Sequence, residues 1–259
     1  MNIQNIKPNE PNIPSNYVAG VFISDNFPLY MEEKLHNFNI QTIRLKSCKN
    51  ILSEVRYHTD ILCCNVKKGI WFFEPENAFR VVNDLDTFWQ GSDVVQIIVG
   101  SELKDKYPHE VMYNCFTINE HLFCSGFTSP HILKYAEENE LNIIKVKQGY
   151  TKCSAAICGK NSIVTSDKGL YKILIELKYN ALLINGSDIR LNGFSCGFIG
   201  GCSGMIAADK IAFTGNLTRM KDYKSLKSFL DNIHIESILL GNEVLYDYGG
   251  ILPFCEYSV

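Results

Sequence analysis

Five times along this chain, a short apolar strand ends in a small or polar residue and gives way to a turn and then a helix. The strands are Val21-Phe22-Ile23-Ser24, Trp71-Phe72-Phe73-Glu74, Leu122-Phe123-Cys124-Ser125, Ile163-Val164-Thr165-Ser166 and Ile211-Ala212-Phe213-Thr214. The residue after each is Asp25, Pro75, Gly126, Asp167 or Gly215, all turn formers. Apolar residues three and four apart then predict helices over Pro28–Phe38, Ala78–Trp89, Ser129–Glu140, Gly169–Tyr179 and Tyr223–Ile233. Each helix leads to a second strand: Ile40–Leu45, Val94–Val99, Ile143–Val146, Ala181–Ile184 and Ile235–Leu240.

A further strand precedes four of the anchors: His58–Val66, His109–Ile118, Lys152–Cys158 and Phe198–Ile206. The first anchor has none before it, and the spare strand, Ile251–Val259, stands at the other end of the sequence. The order predicts five ββαβ repeats in an α/β class fold, a pseudo-fivefold, five-bladed α/β-propeller closed by the C-terminal strand. Closure of that kind leaves no open sheet edge. A doubly wound α/β sheet is the alternative use of the same elements.

The 259 residues suit one large domain or two small ones. We read a single domain over 16–259, preceded by a flexible tail over 1–15 that carries Pro8, Pro11 and Pro14. A net charge of −3 argues against a broad nucleic-acid surface, which needs clustered Lys and Arg. The longest uncharged run, Leu191–Ala208, is too rich in Gly, Asn and Ser for a membrane span. No export signal is read at the N-terminus, so the expected location is cytoplasmic and the ten cysteines are expected as reduced thiols. No CxxC pair occurs, and no metal or other cofactor is expected. The sequence carries no signal of oligomeric state.

The five-unit plan resembles the guanidino-modifying enzyme superfamily, also called the pentein or α/β-propeller fold, over Asn16–Val259. The resemblance rests on architecture more than on motifs. It implies a Cys nucleophile shortly after a Gly-Gly pair, a His-x-Asp motif for acid–base work, and carboxylates that hold a guanidinium. The chemistry is coherent: paired hydrogen bonds hold the planar cation, a thiolate attacks its carbon, and His moves protons to the leaving amine. His58-Thr59-Asp60 has the motif's form but opens the first complete repeat rather than a later one. The later strand starts Phe198-Ile199-Gly200-Gly201 with no His, and Lys152-Cys153 stands where a Glu is expected. Gly249-Gly250 precedes Cys255, about two positions farther on than the pattern implies.

The first strands of the repeats are expected to line the centre, bringing in His58, Asp60, His109, Glu110, Lys152, Cys153, Cys202 and Cys255. His58 and Asp60, as alternate strand residues, share one side; the plain alternative is a structural hydrogen-bonded pair. Of His109 and Glu110, only one faces inward. Cys202, in Gly200-Gly201-Cys202-Ser203-Gly204, and Cys255 are the candidate nucleophiles, with His58 or His109 as proton carrier. The alternatives are a tight backbone crossing at the glycines and plain core packing for the thiols. Glu110, Lys152 and Cys153 are candidate ligand contacts. His121 and Cys124 point to opposite faces of a strand and do not form a metal pair.

Two functions follow. One is a cysteine-dependent hydrolase or amidinotransferase type of enzyme, or a degenerate relative, acting on a small guanidino or amino compound. The other is a non-catalytic binding protein of the same fold, such as the ribosome-interacting members. A small polar ligand is the expected partner. A metal-dependent enzyme using His58, Asp60 and His109 is a third arrangement of the same residues.

Overall fold

The structure, a computed structural model, describes residues 6–89 and 95–258, with side chains 86–89 left aside. The chain opens with β1 (Ile6–Pro8), β2 (Val18–Ser24), α1 (Leu29–His36) and β3 (Gln41–Leu45). A one-turn helix, α2 (Thr59–Leu62), leads into β4 (Cys63–Lys67), β5 (Ile70–Phe73), α3 (Pro75–Trp89) and β6 (Gln96–Val99). The third set is β7 (Phe116–Ile118), β8 (His121–Cys124), α4 (Pro130–Glu138) and β9 (Asn142–Lys145). The fourth is β10 (Ala155–Ile157), β11 (Ser162–Thr165), α5 (Lys168–Glu176) and β12 (Asn180–Leu183). The fifth is β13 (Ser203–Ala207), β14 (Lys210–Phe213), α6 (Tyr223–Asn232) and β15 (Glu236–Leu239), and β16 (Leu252–Tyr257) ends the chain.

Each of the last four sets forms its own three-stranded sheet, with the anchor strand antiparallel to the strand before it and parallel to the strand after its helix. A parallel partner demands a long crossover, and the helix supplies it. Four helices end alike. Asn39, Glu140, Lys178 and His234 take left-handed φ of 57–63°. The next amide then reaches back five residues, as in Ile40 N to Leu35 O and Tyr179 N to Leu174 O. That bond satisfies an orphan helix carbonyl and seats an apolar residue on the helix. The result sets the entry angle of each parallel strand.

The first sheet has the order β1-β16-β2-β3. As expected, the C-terminal strand supplies the missing partner of β2, pairing Leu252 with Phe22 and Pro253 with Val21. All seven residues of β2 are buried, as suits a strand covered on both faces. Phe22 stacks on Phe254 at 4.4 Å and meets Trp71 and Phe73 edge-on at 4.9 and 5.3 Å. These contacts fasten the first sheet to the second. Neighbouring sheets also touch through their first strands, β4 against β7, β10 against β13, and β13 against β16.

Several expectations change. Residues from Ile6 onward are no free tail, because β1 pairs with β16 and Asn9 and Ile13 are buried. The Asn9 side chain donates to Pro253 O at 3.1 Å, which ties the segment down. Met1–Asn5, Val94 and Val259 lie outside the described residues. The first strands of the repeats are also shorter than expected. Helical or bent turns fill their opening residues, at 59–62, 109–111, 151–154 and 200–202. The polar residues there need backbone partners that a strand flanked on both sides cannot offer. Among the described residues, no helix is long and apolar enough to cross a membrane.

Candidate functional site

The site is built from those turns. His58 is the residue that opens α2, and Asp60 lies within it, so the two are not alternate strand residues. The turn at 151–154 carries Lys152 and Cys153, and a 3-10 turn at His109–Val111 carries Glu110. The turn before β16 carries Asp247, Gly249 and Gly250. Gly249 has φ +80, and a Cβ there would lie 2.3 Å from His58 Cα. Only glycine lets this turn press against α2, where Asp60 N donates to Gly249 O at 3.0 Å.

His58, Asp60 and Cys153 each offer a ligand atom, and these atoms lie within 4.8 Å of one another. Cys153 Sγ donates to Asp60 Oδ1 at 3.0 Å. Asn114 binds the group together: its Nδ2 donates to Asp60 O at 3.0 Å and to Cys153 Sγ at 3.1 Å. Its Oδ1 accepts the amides of Lys152 and Cys153 at 2.7 and 3.1 Å. His58 Nδ1 faces Asp247 Oδ1 at 3.6 Å, too far for a hydrogen bond and close enough for an ion pair when the ring is charged. Asp247 is held by the amides of Phe198 and Gly249 at 2.8 and 3.0 Å.

A cavity of about 210 Å³ opens over this floor, with His58, Cys153 and Asp247 at its base and Tyr150, Leu191, Phe194 and Phe198 among its walls. Beside it, Tyr150 donates to Glu110 Oε1 at 3.0 Å. Burial pushes the Asp60 carboxyl up to about 6, against the pull of Lys152 and His58. Burial, then the carboxylates of Asp60 and Asp247, push the Cys153 thiol well above its usual value. The pair therefore holds its proton between sulfur and carboxylate. His58 Nδ1, Asp60 Oδ2 and Glu110 Oε2 are buried without a hydrogen-bond partner. Such groups are rare in folded proteins; His58 lines the cavity, while Asp60 contacts Cys153 and Glu110 contacts Tyr150, which line it too. The His58, Asp60 and Cys153 donors are also of the type that binds zinc. The sequence reading offers His109 as the third member of such a set; beside His58 and Asp60 stands Cys153 instead, and His109 is exposed.

The structure brings together His58, Asp60, Glu110, Lys152 and Cys153. Lys152 is buried, with Nζ 3.5 Å from Gly200 O. His109 is exposed, because the 3-10 turn directs Glu110 inward instead. Cys255 sits mid-strand in β16 opposite Gly20, packed in core. Cys202 is buried among Ile199, Ile211 and Phe213 and shares a hydrogen bond with Thr214. Burial pushes both thiols well up. Neither is placed as the expected nucleophile requires; the thiol in the cluster with His58 is Cys153. The glycine run serves two ends. Gly200 and Gly204 admit close backbone, whereas a Cβ at Gly201 would lie 1.8 Å from Asp247 Oδ1. Asn114, Tyr150 and Asp247 are missed by the sequence reading. Asp247, two residues ahead of the Gly-Gly pair, is the one with a usable signal.

No curated protein matches the chain by sequence. Solved structures match by shape. An inosamine-phosphate amidinotransferase from Streptomyces griseus aligns at TM-score 0.54 and 7% identity, covering 95% of this chain and 96% of that one. DDAH from Pseudomonas aeruginosa, a Cys-to-Ser mutant complexed with citrulline, aligns at 0.51 and 8%, covering 93% and 100%. Agmatine deiminase from C. jejuni aligns at 0.51 and 13%, covering 98% and 96%. The five sheets therefore have the pentein fold. The model of the family described as "Family of unknown function (DUF6873)" matches residues 22–252, and the chain belongs to that family.

Proposed function

We propose that this chain is a cysteine-dependent enzyme of the guanidino-modifying type, folded as one domain that takes in β1 as well as the expected 16–259, with Cys153 as nucleophile. The reading rests on one observation: Cys153, Asp60 and His58 converge under an apolar-walled cavity, with Glu110 and Asp247 beside them. A guanidinium entering this cavity meets the Asp247 carboxylate in its lining, with Asp60 behind Cys153. Its positive charge favours the thiolate form of Cys153. The thiol proton passes to Asp60 along the existing 3.0 Å contact. Sulfur then bonds the guanidinium carbon, a C–N bond breaks, and the departing nitrogen takes a proton from His58. Water or an acceptor amine, giving its proton back to His58, then attacks the S–C adduct; the C–S bond breaks, Asp60 returns its proton to sulfur, and a ureido product or a new guanidine leaves. Glu110 and Asp247 hold the cation in place.

A non-catalytic binding protein is the second reading, favoured by the burial that holds the Cys153 thiol protonated in the free protein. Alkylation separates the two. Among the ten cysteines, nine are buried and Cys196 is half-buried on the cavity wall. Cys196 therefore reacts first with any thiol reagent, and the experiment uses Cys196→Ser. A cationic haloacetamidine should modify Cys153 well ahead of neutral iodoacetamide, and guanidino substrates should yield ureido or amidino-transfer products that Cys153→Ser does not form. A Cys153 that ignores the charge of the reagent, with no product from any guanidino compound, refutes the enzyme reading. Elemental analysis of the purified protein tests the zinc-type donor set independently.

A further inference from the structure

Among the described residues, the cavity over Cys153 has His58 and Asp247 at its base, and no other Asp, Glu, Lys, Arg or His lines it. Its walls are largely apolar, with Tyr150, Leu191, Phe194 and Phe198 the large side chains. An apolar cavity of roughly 150 Å³ already accommodates benzene. One of about 210 Å³ therefore holds a guanidinium and part of an apolar chain.

The apolar wall does not stop at the cavity. The rings of Phe198 and Tyr150 lie 6.0 Å apart, Tyr107 follows at 6.1 Å from Tyr150, and Phe127 at 5.9 Å from Tyr107. Rings at these spacings are in contact. The four make a continuous tract that starts on the cavity wall and ends at the surface, where Tyr107 is 52% and Phe127 45% exposed. Two features fix the tract before any ligand arrives. The Tyr150 hydroxyl donates to the buried Glu110 at 3.0 Å. Tyr107 lies flush on Gly149, where a Cβ would stand 2.7 Å from its ring.

Aromatic surface left to water and continuous with the wall of a cavity marks a ligand groove. Two kinds of group suit aromatic faces, an apolar group and a cation. A second cation would give up its water for walls that hold no carboxylate above the floor, whereas an apolar group gains by leaving water. We infer that the substrate class is an arylalkylguanidine, with its guanidinium at Asp247 and Cys153 and its aryl end on the tract through Tyr150 and Tyr107. This deepens the guanidino reading and rests on it.

Titration calorimetry on Cys153→Ser, which lacks the proposed nucleophile, tests it with two probes. Phenylbutylguanidine and agmatine share a guanidinium and a four-carbon chain, and end in phenyl and ammonium respectively. Phenylbutylguanidine should bind about tenfold more tightly. That ratio is about 1.4 kcal/mol, which burial of about 55 Å² of apolar surface supplies. Adding Tyr107→Ala should weaken phenylbutylguanidine about fivefold and move agmatine by less than about twofold, and Tyr107→Phe should keep the preference. An unchanged melting temperature shows that these variants are folded. If agmatine binds as tightly as phenylbutylguanidine, or if Tyr107→Ala weakens both alike or neither, the inference is overturned while the guanidino reading stands. Phenylbutylurea, with the same tail and no charge, should bind at least about tenfold more weakly than phenylbutylguanidine. Equal binding of the urea, or no binding of either guanidine, refutes the guanidino reading, and the inference falls with it.

Discussion

Replacing Asn114 tests whether the site is held by one side chain. Asn114 is fully buried, and its amide satisfies the backbone amides of Lys152 and Cys153, the carbonyl of Asp60 and the sulfur of Cys153. Asn114→Ala leaves two amides and a carbonyl unpaired in a dry interior. Each such group costs about 1–3 kcal/mol, and partial rescue by entering water brings the expected total to about 3–5 kcal/mol. For a chain of this length each kcal/mol moves the melting temperature by roughly 2 °C, so the expected loss is about 6–10 °C by calorimetry. Asn114→Asp keeps both amide contacts and sets a carboxyl next to Asp60 and Cys153. Burial raises its folded pKa above the unfolded value near 3.9. Its stability should therefore fall as pH rises past about 4, while the wild-type difference is smallest in acid. A melting point for Asn114→Ala within about 2 °C of wild type at pH 7 would show that the cluster does not depend on this residue.

Three further outcomes are expected. Asp60 titrates near 6 when folded and near 3.9 when unfolded, so the folded state binds the extra proton in between. Wild-type stability should thus fall by about 3 kcal/mol as pH rises from about 4 to 6 and then level, and Asp60→Asn should flatten that slope; parallel melting-versus-pH curves would contradict it. Gly201→Ala puts a methyl on Asp247 Oδ1 and strips that carboxylate from its two amides. We expect a loss of about 2–4 kcal/mol in urea unfolding, and a change below about 0.5 would refute the packing argument. Truncation after Gly250 removes β16 from between β1 and β2 and bares two strand edges, so cooperative melting should be lost; an unchanged transition would count against the closing role.

The sequence discloses the sheets better than the site, for a physical reason. Each anchor strand is covered on both faces, so it reads as an unbroken apolar run such as Val21-Phe22-Ile23, and the strand displaced to the end, β16, follows from counting. Residues that meet across separate repeats leave no local pattern. Cys153 and Asp60 are 93 positions apart and meet only through the packing of two turns. Those turns span three or four residues, too short for any periodicity, so α2 at Thr59–Leu62 reads as more of β4. That error made His58 and Asp60 neighbours on a strand face when they are neighbours on a helical turn. Cys202 and Cys255 drew attention because glycines lie near them, but those glycines make room for Asp247 and for backbone rather than for a reactive thiol.

The place of β16 also bears on the order in which the protein takes shape during translation. N-terminal parts of a chain fold while later parts are still being made. Here β1 and β2 wait on a segment made after the other sheets, since β16 lies between them and Asn9 reaches Pro253. The three sheets from β7 to β15 need no such partner. The same late segment brings Gly249 to Asp60 and Asp247 to His58. A nascent chain therefore carries Cys153 without the carboxylate and the turn that complete its surroundings until Asp247 and Gly249 have been made.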